Sequence, residues 1–147
     1  MATTRPSIGL DRNLFPQQAE FALNGNPQAI GPLVDKITAF IVASGVVPGK
    51  EDEIDLALQE ALANAVVHGC GGDPSKMIYC AVGCGPAEGV LIVVRDPGPG
   101  FAPESLRSPL SGEGLAADHG RGIHMIRQLM DEIRFERNGS ELHMRKR

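Results

Sequence analysis

A chain of 147 residues, 42% hydrophobic and 22% charged, with a formal net charge of −4, has the size and balance of one globular domain whose core is Leu, Ile, Val and Ala. The acidic balance argues against direct nucleic-acid contact, which uses a basic surface, and no apolar run nears the roughly 20 residues that span a bilayer. Met1 to Asp11 lacks the apolar core of a signal peptide, and the three cysteines, Cys70, Cys80 and Cys84, read as reduced thiols, so a cytoplasmic protein is expected.

Residues 1–17 hold scattered Pro, Arg and Thr and read as a loose lead-in; 18–147 read as a single domain. Glu20–Leu23 is a short predicted strand, closed by the turn residues Asn24-Gly-Asn-Pro27. Asn26 is a candidate N-cap for a helix that begins at Pro27, carries Ala29, Leu33, Ile37, Phe40 and Ile41 at helical spacing, and stops at Ser44-Gly45. Acidic Glu51, Asp52 and Glu53 suit the start of a second helix, Glu51 to His68. Its apolar face is Ile54, Leu58, Ala61, Leu62 and Ala65. Glu60, Asn64 and His68 form a stripe beside that face, at the edge of the core. Asn is a middling helix former, so Asn64 in mid-helix invites an explanation beyond propensity.

Lys76 to Gly83 and Val90 to Arg95 read as two strands of a hairpin, with Cys80 and Cys84 as small apolar residues. The second strand runs into Arg95-Asp-Pro-Gly-Pro-Gly-Phe101, which cannot continue a ladder because Pro lacks an N–H and Gly weakens a strand. Ala102 to His119 loses pattern and reads as a long loop, a length that in compact domains usually serves function. Gly120-Arg-Gly122 is expected to open a helix of Ile123, Met125, Ile126, Leu129 and Met130. Ile133–Arg137 and Glu141–Arg145 then close the chain as a hairpin around Asn138-Gly139.

Three stretches carry candidate chemistry. Glycines at a helix N-terminus leave backbone N–H groups that attract phosphate oxygens; Gly120 and Gly122 are either such a site or plain loop. Asp96, behind the Gly98 and Gly100 turn, is either a solvated turn residue or an acceptor for an exocyclic amine such as that of adenine. Asn64 offers Mg²⁺ a hard oxygen, and Glu60, one turn earlier, is placed to activate a hydroxyl. The loop from Ala102 would cover such a nucleotide as a lid. His68 and Cys70 have no second Cys/His pair at zinc spacing, so zinc is not expected.

Glu60-x3-Asn64, Asp96-x-Gly98-x-Gly100 and Gly120-x-Gly122, in this order, resemble the N-box and two glycine boxes of the GHKL ATPase/kinase superfamily. Within it the chain resembles the anti-sigma-factor serine/threonine kinases of bacterial partner switching, on Glu-Ala-Leu-Ala-Asn-Ala-Val-Val-His-Gly (60–69), Gly-Asp-Pro-Ser-Lys (72–76), Leu-Met-Asp-Glu-Ile (129–133) and Arg-Phe-Glu-Arg-Asn-Gly (134–139). The resemblance implies an α+β two-layer sandwich of the Bergerat type: a mixed, mostly antiparallel sheet with helices on one face. It implies ATP and Mg²⁺ as cofactors and Asn64 as the Mg²⁺ ligand. Asp96 would bind the adenine amine. Gly98, Gly100, Gly120, Gly122 and Ile123 would shape the nucleotide pocket, and Glu60 would be the general base toward a serine or threonine. Arg121 would add a phosphate contact or face solvent. The implied partners are an anti-anti-sigma factor of the STAS type, as substrate, and a sigma factor; a homodimer through a sheet edge is typical of the family. The chain departs from the family pattern just before Gly120, where Asp118 and His119 stand in place of a basic residue. The alternative to a kinase is a nucleotide-binding interaction module of the same fold with little or no catalysis.

Overall fold

A computed structural model describes residues 8–100 and 115–147, the side chains of 115–121 excepted. Five strands, Gln17–Asn24 (β1), Met77–Gly85 (β2), Gly89–Arg95 (β3), Glu132–Glu136 (β4) and Glu141–Lys146 (β5), form one sheet in the order β1-β2-β3-β5-β4. Each pairing between these strands is antiparallel, and the β2–β3 and β4–β5 hairpins lie where the turn residues put them. The α+β two-layer sandwich stands, with a sheet that is antiparallel throughout its described strands.

Alternation along the strands decides which face the helices cover. Ile78, Cys80, Val82 and Cys84 of β2, Val90, Ile92 and Val94 of β3, and Leu142 and Met144 of β5 point to one side and join the main core. Three helices supply the other half of that core: Ile30–Ser44 (α1), Glu51–Asn64 (α2) and Leu115–Leu129 (α3). α2 packs against both α1 and α3. A 3₁₀ turn at Pro27–Ala29 precedes α1; Asn26 caps it by accepting the Gln28 N–H at 3.0 Å. Gly45, at φ 69°, ends α1 in the left-handed conformation that glycine adopts without cost. All three cysteines are free and buried, and burial pushes the Cys80 thiol up to about 12. Leu58, at 0% exposure, sits where α2 meets the sheet. Leu58→Ala is expected to cost about 2–5 kcal/mol, read as a fall in Tm of roughly 5–15 °C in a thermal melt.

Two differences from the sequence expectations have local causes. The described part of the lead-in, residues 8–16, is not without contacts. Ile8 packs with Ala81 and Val93 on the face of the sheet away from the helices, and Phe15 is 2% exposed. A β-carbon at Gly83 would lie 2.8 Å from the Phe15 β-carbon, so the glycine makes room for the ring. No periodicity announces a segment that docks through isolated side chains. The second difference corrects the start of the third helix: α3 begins at Leu115, not at Gly120, so the glycine pair lies inside it. Leu115, Ala116 and Ala117 favour helix, and an interior glycine costs only about 1 kcal/mol relative to alanine. The expected loop from Ala102 is therefore helical from Leu115; its remainder lies outside the described residues.

Candidate nucleotide site

Glu60 and Asn64 stand one turn apart near the end of α2. Directly after Asn64 the helix widens into a π-helical turn, Ala65–Gly69, closed by the Cys70 N–H on the Ala65 carbonyl at 2.9 Å. Single π-turns are uncommon and concentrate at functional sites. This one delivers Gly69 against the side chain of Asp96: a β-carbon at Gly69 would overlap the Asp96 carboxyl carbon. Gly98 closes the same knot, since a β-carbon there would lie 2.8 Å from the Gly69 carbonyl oxygen and 2.9 Å from Asp96 Oδ1.

Asp96 is thereby held from three sides. Its N–H donates to the Ser140 carbonyl at 2.9 Å, and its Oδ1 accepts the Gly98 N–H at 2.8 Å. Among the described residues Oδ2 has no hydrogen-bond partner. Burial raises the carboxyl above its ordinary value of 3.8, and the Gly98 hydrogen bond opposes that rise. The opposite wall is the β4–β5 turn. Arg137 (φ 54°), Asn138 (φ 58°) and Gly139 (φ 92°) are all left-handed there, which Asn and Gly tolerate best. The turn presses on the Asp96–Gly100 segment so closely that a β-carbon at Gly100 would overlap the Asn138 carbonyl oxygen.

The third wall is α3. A β-carbon at Gly122 would lie 3.0 Å from Asn64 Nδ2, 3.3 Å from Asn64 Oδ1 and 3.4 Å from Glu60 Oε2. Gly122 therefore lets α3 meet the polar stripe of α2, a role in close approach rather than in offering free N–H groups. Asn64 Nδ2 is buried with no hydrogen-bond partner among the described residues, a cost that an acceptor in the cleft would relieve. Because the amide carries an acceptor oxygen as well as its donor, it suits a site that holds both phosphate and a hard cation. The Asn64 amide, with an orphan donor and a hard oxygen, and the nearby carboxylate of Glu60 fit Mg²⁺ bound together with phosphate.

These walls border an open cleft between the helices and the sheet. Asn64, Asp96, Gly100 and Ile123 line it, together with His68, Gly69, Val94, Phe135, Ser140 and Leu142. Gly98 and Gly122 adjoin that lining through the contacts given above, whereas Glu60 lines a neighbouring groove between α1 and α2, with Ile30, Val34, Asp55 and Ala63. Gly120 and Arg121 fall within α3, and their surroundings lie outside the described residues. Sequence reasoning missed the apolar floor of Val94, Phe135 and Leu142, whose alternation marked them only as core. It also took Gly69 for a helix stop, although the His68-Gly69 pair at the end of the α2 stripe was the available signal.

An antiparallel sheet covered by helices, with a mostly apolar cleft opened between the layers by glycines, defines a two-layer α+β domain. The family model of the histidine kinase-like ATPase domain matches residues 23–146, and the chain belongs to that family. It is similar to the anti-sigma F factor of Bacillus cytotoxicus, with 30% identity over 115 residues covering 75% of this chain and 78% of the relative. It is also similar to the anti-sigma F factor of Anoxybacillus flavithermus, with 31% identity over 101 residues, 66% of this chain and 67% of the relative. The Geobacillus sp. protein of the same name shares 29% over 100 residues, 66% of this chain and 67% of its own. Among the described residues no helix is long and apolar enough to cross a membrane.

Proposed function

We propose that the chain is an ATP-dependent protein serine/threonine kinase that phosphorylates a STAS-type anti-anti-sigma antagonist and sequesters a sigma factor in the cytoplasm. The observation that carries this reading is that Asn64 and Asp96 line one cleft, with Gly122 set against Asn64 and Glu60 and with Gly69 and Gly98 set against Asp96. Asp96 Oδ2 accepts a hydrogen bond from the adenine amine, while Val94, Ile123, Phe135 and Leu142 keep water from the purine. Asn64 would hold Mg²⁺, which when bound offsets negative charge on the phosphates. Glu60 takes the proton of the acceptor serine or threonine as its oxygen bonds to the γ-phosphorus and the bond to the ADP oxygen breaks. Phosphorylation adds about −1.5 to −2 charges to the antagonist, enough to break its interface with the kinase by repulsion and desolvation. The relatives' name, anti-sigma F factor, supports a sigma factor as the sequestered partner. A homodimer through an exposed sheet edge, where β1 and β4 end the sheet, completes the reading.

The test is phosphate transfer from γ-labelled ATP, with Mg²⁺, to each STAS-type protein of the source organism. Label on a serine or threonine of one of them is expected. Transfer to none of them, by a chain that binds ATP, contradicts the kinase assignment and leaves the interaction module.

A further inference from the structure

On the face of the sheet turned away from the helices, three polar side chains that the cleft does not use are packed together. Arg95 Nε lies 2.5 Å from Glu141 Oε2, and His143 Nε2 lies 2.8 Å from Glu141 Oε1. All three side chains are more than four-fifths buried, with exposures of 18%, 8% and 15%. Both carboxylate oxygens are thus engaged. An isolated buried carboxylate would be costly, so this one is held by its partners.

The position of the cluster gives it a role. Arg95 and Glu141 are directly opposed across β3 and β5, on the last rung of that ladder before the cleft. The next residue after Arg95 is Asp96, and the residue before Glu141 is Ser140; these two are joined by the Asp96 N–H to Ser140 carbonyl bond. Beside the π-turn residues, this end of the cleft is shaped by Asp96 to Gly100 and Asn138 to Ser140, two segments that lead away from that rung. Hydrogen bonds at the end of a ladder open most easily, and a side-chain pair across the rung restrains them.

We infer that the Arg95–Glu141–His143 cluster is a positioning device for nucleotide recognition, clamping from the far side of the sheet the rung that presents Asp96 to the purine. The inference rests on the proposed ATP site and adds to it residues that never touch the ligand. The clamp fixes where the carboxylate stands, so it governs the part of affinity that comes from the exocyclic amine and leaves the phosphate end alone.

The experiment compares the binding of ATP and of purine riboside triphosphate, which lacks the amine, by calorimetry on two variants of the full chain. In Glu141→Gln the charge is lost and the shape kept. In the double variant Arg95→Met, Glu141→Leu the pair is replaced by apolar groups, a change that often leaves stability intact. Both are expected to bind ATP roughly five- to tenfold more weakly, the scale of indirect coupling, and the amine-free analogue within about twofold of wild type. The double variant should keep its thermal midpoint near that of wild type. An unchanged preference for ATP over the analogue in both variants overturns the inference and leaves the ATP site standing. Equal weakening of both nucleotides overturns it as well, since that is the mark of a merely structural pair. A wild-type chain that binds neither nucleotide overturns the functional reading and this inference with it.

Discussion

Glu60→Gln is expected to lower phosphate transfer to the antagonist by about 10²–10⁴, the usual contribution of a positioned general base, while the affinity for ATP stays within about twofold. The split follows from placement. Glu60 stands one helical turn from Asn64, on the groove between α1 and α2, and is not among the residues that line the cleft. Glutamine keeps the size and the contact with Gly122 but cannot accept a full proton. Single-turnover transfer beside equilibrium ATP binding is the measurement. Transfer at the wild-type rate would mean that Glu60 only packs against α3.

Asp96→Asn is expected to weaken ATP binding by about a hundredfold or more and to make the ligand-free chain more stable. The first effect comes from donor geometry. Gly98 N–H fixes one end of the side chain as an acceptor, so the amide group of asparagine must take the place of Oδ2 and meet the adenine amine donor to donor. Sites that hydrogen-bond a substrate group discriminate strongly when the match is lost. The second effect follows from burial, which raises the folded-state pKa of Asp96 above 3.8. A carboxyl with a raised folded pKa contributes stability below its unfolded pKa and loses it as pH rises through the folded value. Burial therefore penalises the ionised form of the carboxyl in the free chain, and asparagine removes that penalty. Thermal melts of the ligand-free proteins should show Asp96→Asn melting higher than wild type at neutral pH, with the gap narrowing as pH falls toward the ordinary carboxylate range. A variant that binds ATP like wild type would remove Asp96 from the purine site, and one that melts lower at neutral pH would contradict the cost assigned to its burial.

Which parts of this were legible in the sequence is a matter of range. The β3 run into Asp96, the Asn138-Gly139 hairpin, the Gly45 stop and the Glu60–Asn64 stripe are written in local period and turn chemistry, and they stand in the fold where the sequence put them. The features that make a cleft out of them are contacts between distant residues. Gly69 reads as a helix terminator, yet its missing side chain is what admits Asp96. The π-turn that aims it has no pattern of its own. Gly122 looked like part of a phosphate-binding helix start; the helix already runs from Leu115, and the glycine instead brings α3 onto Asn64 and Glu60. Arg95 and Glu141 lie 46 positions apart, and only the β3–β5 register makes them a pair. Phe15 and Ile8 dock on the outer face through single side chains, for which no periodicity exists to be read.

The central claim, that the cleft between α2, α3 and the β3–β5 rung is an ATP site, is tested most directly by calorimetric titration of the chain with ATP, with and without Mg²⁺, beside GTP. One ATP per chain is expected, tighter with Mg²⁺, and no GTP binding at the same concentration, because the guanine oxygen would face the Asp96 carboxylate acceptor to acceptor. No heat at millimolar ATP, or equal binding of the two nucleotides, would contradict it.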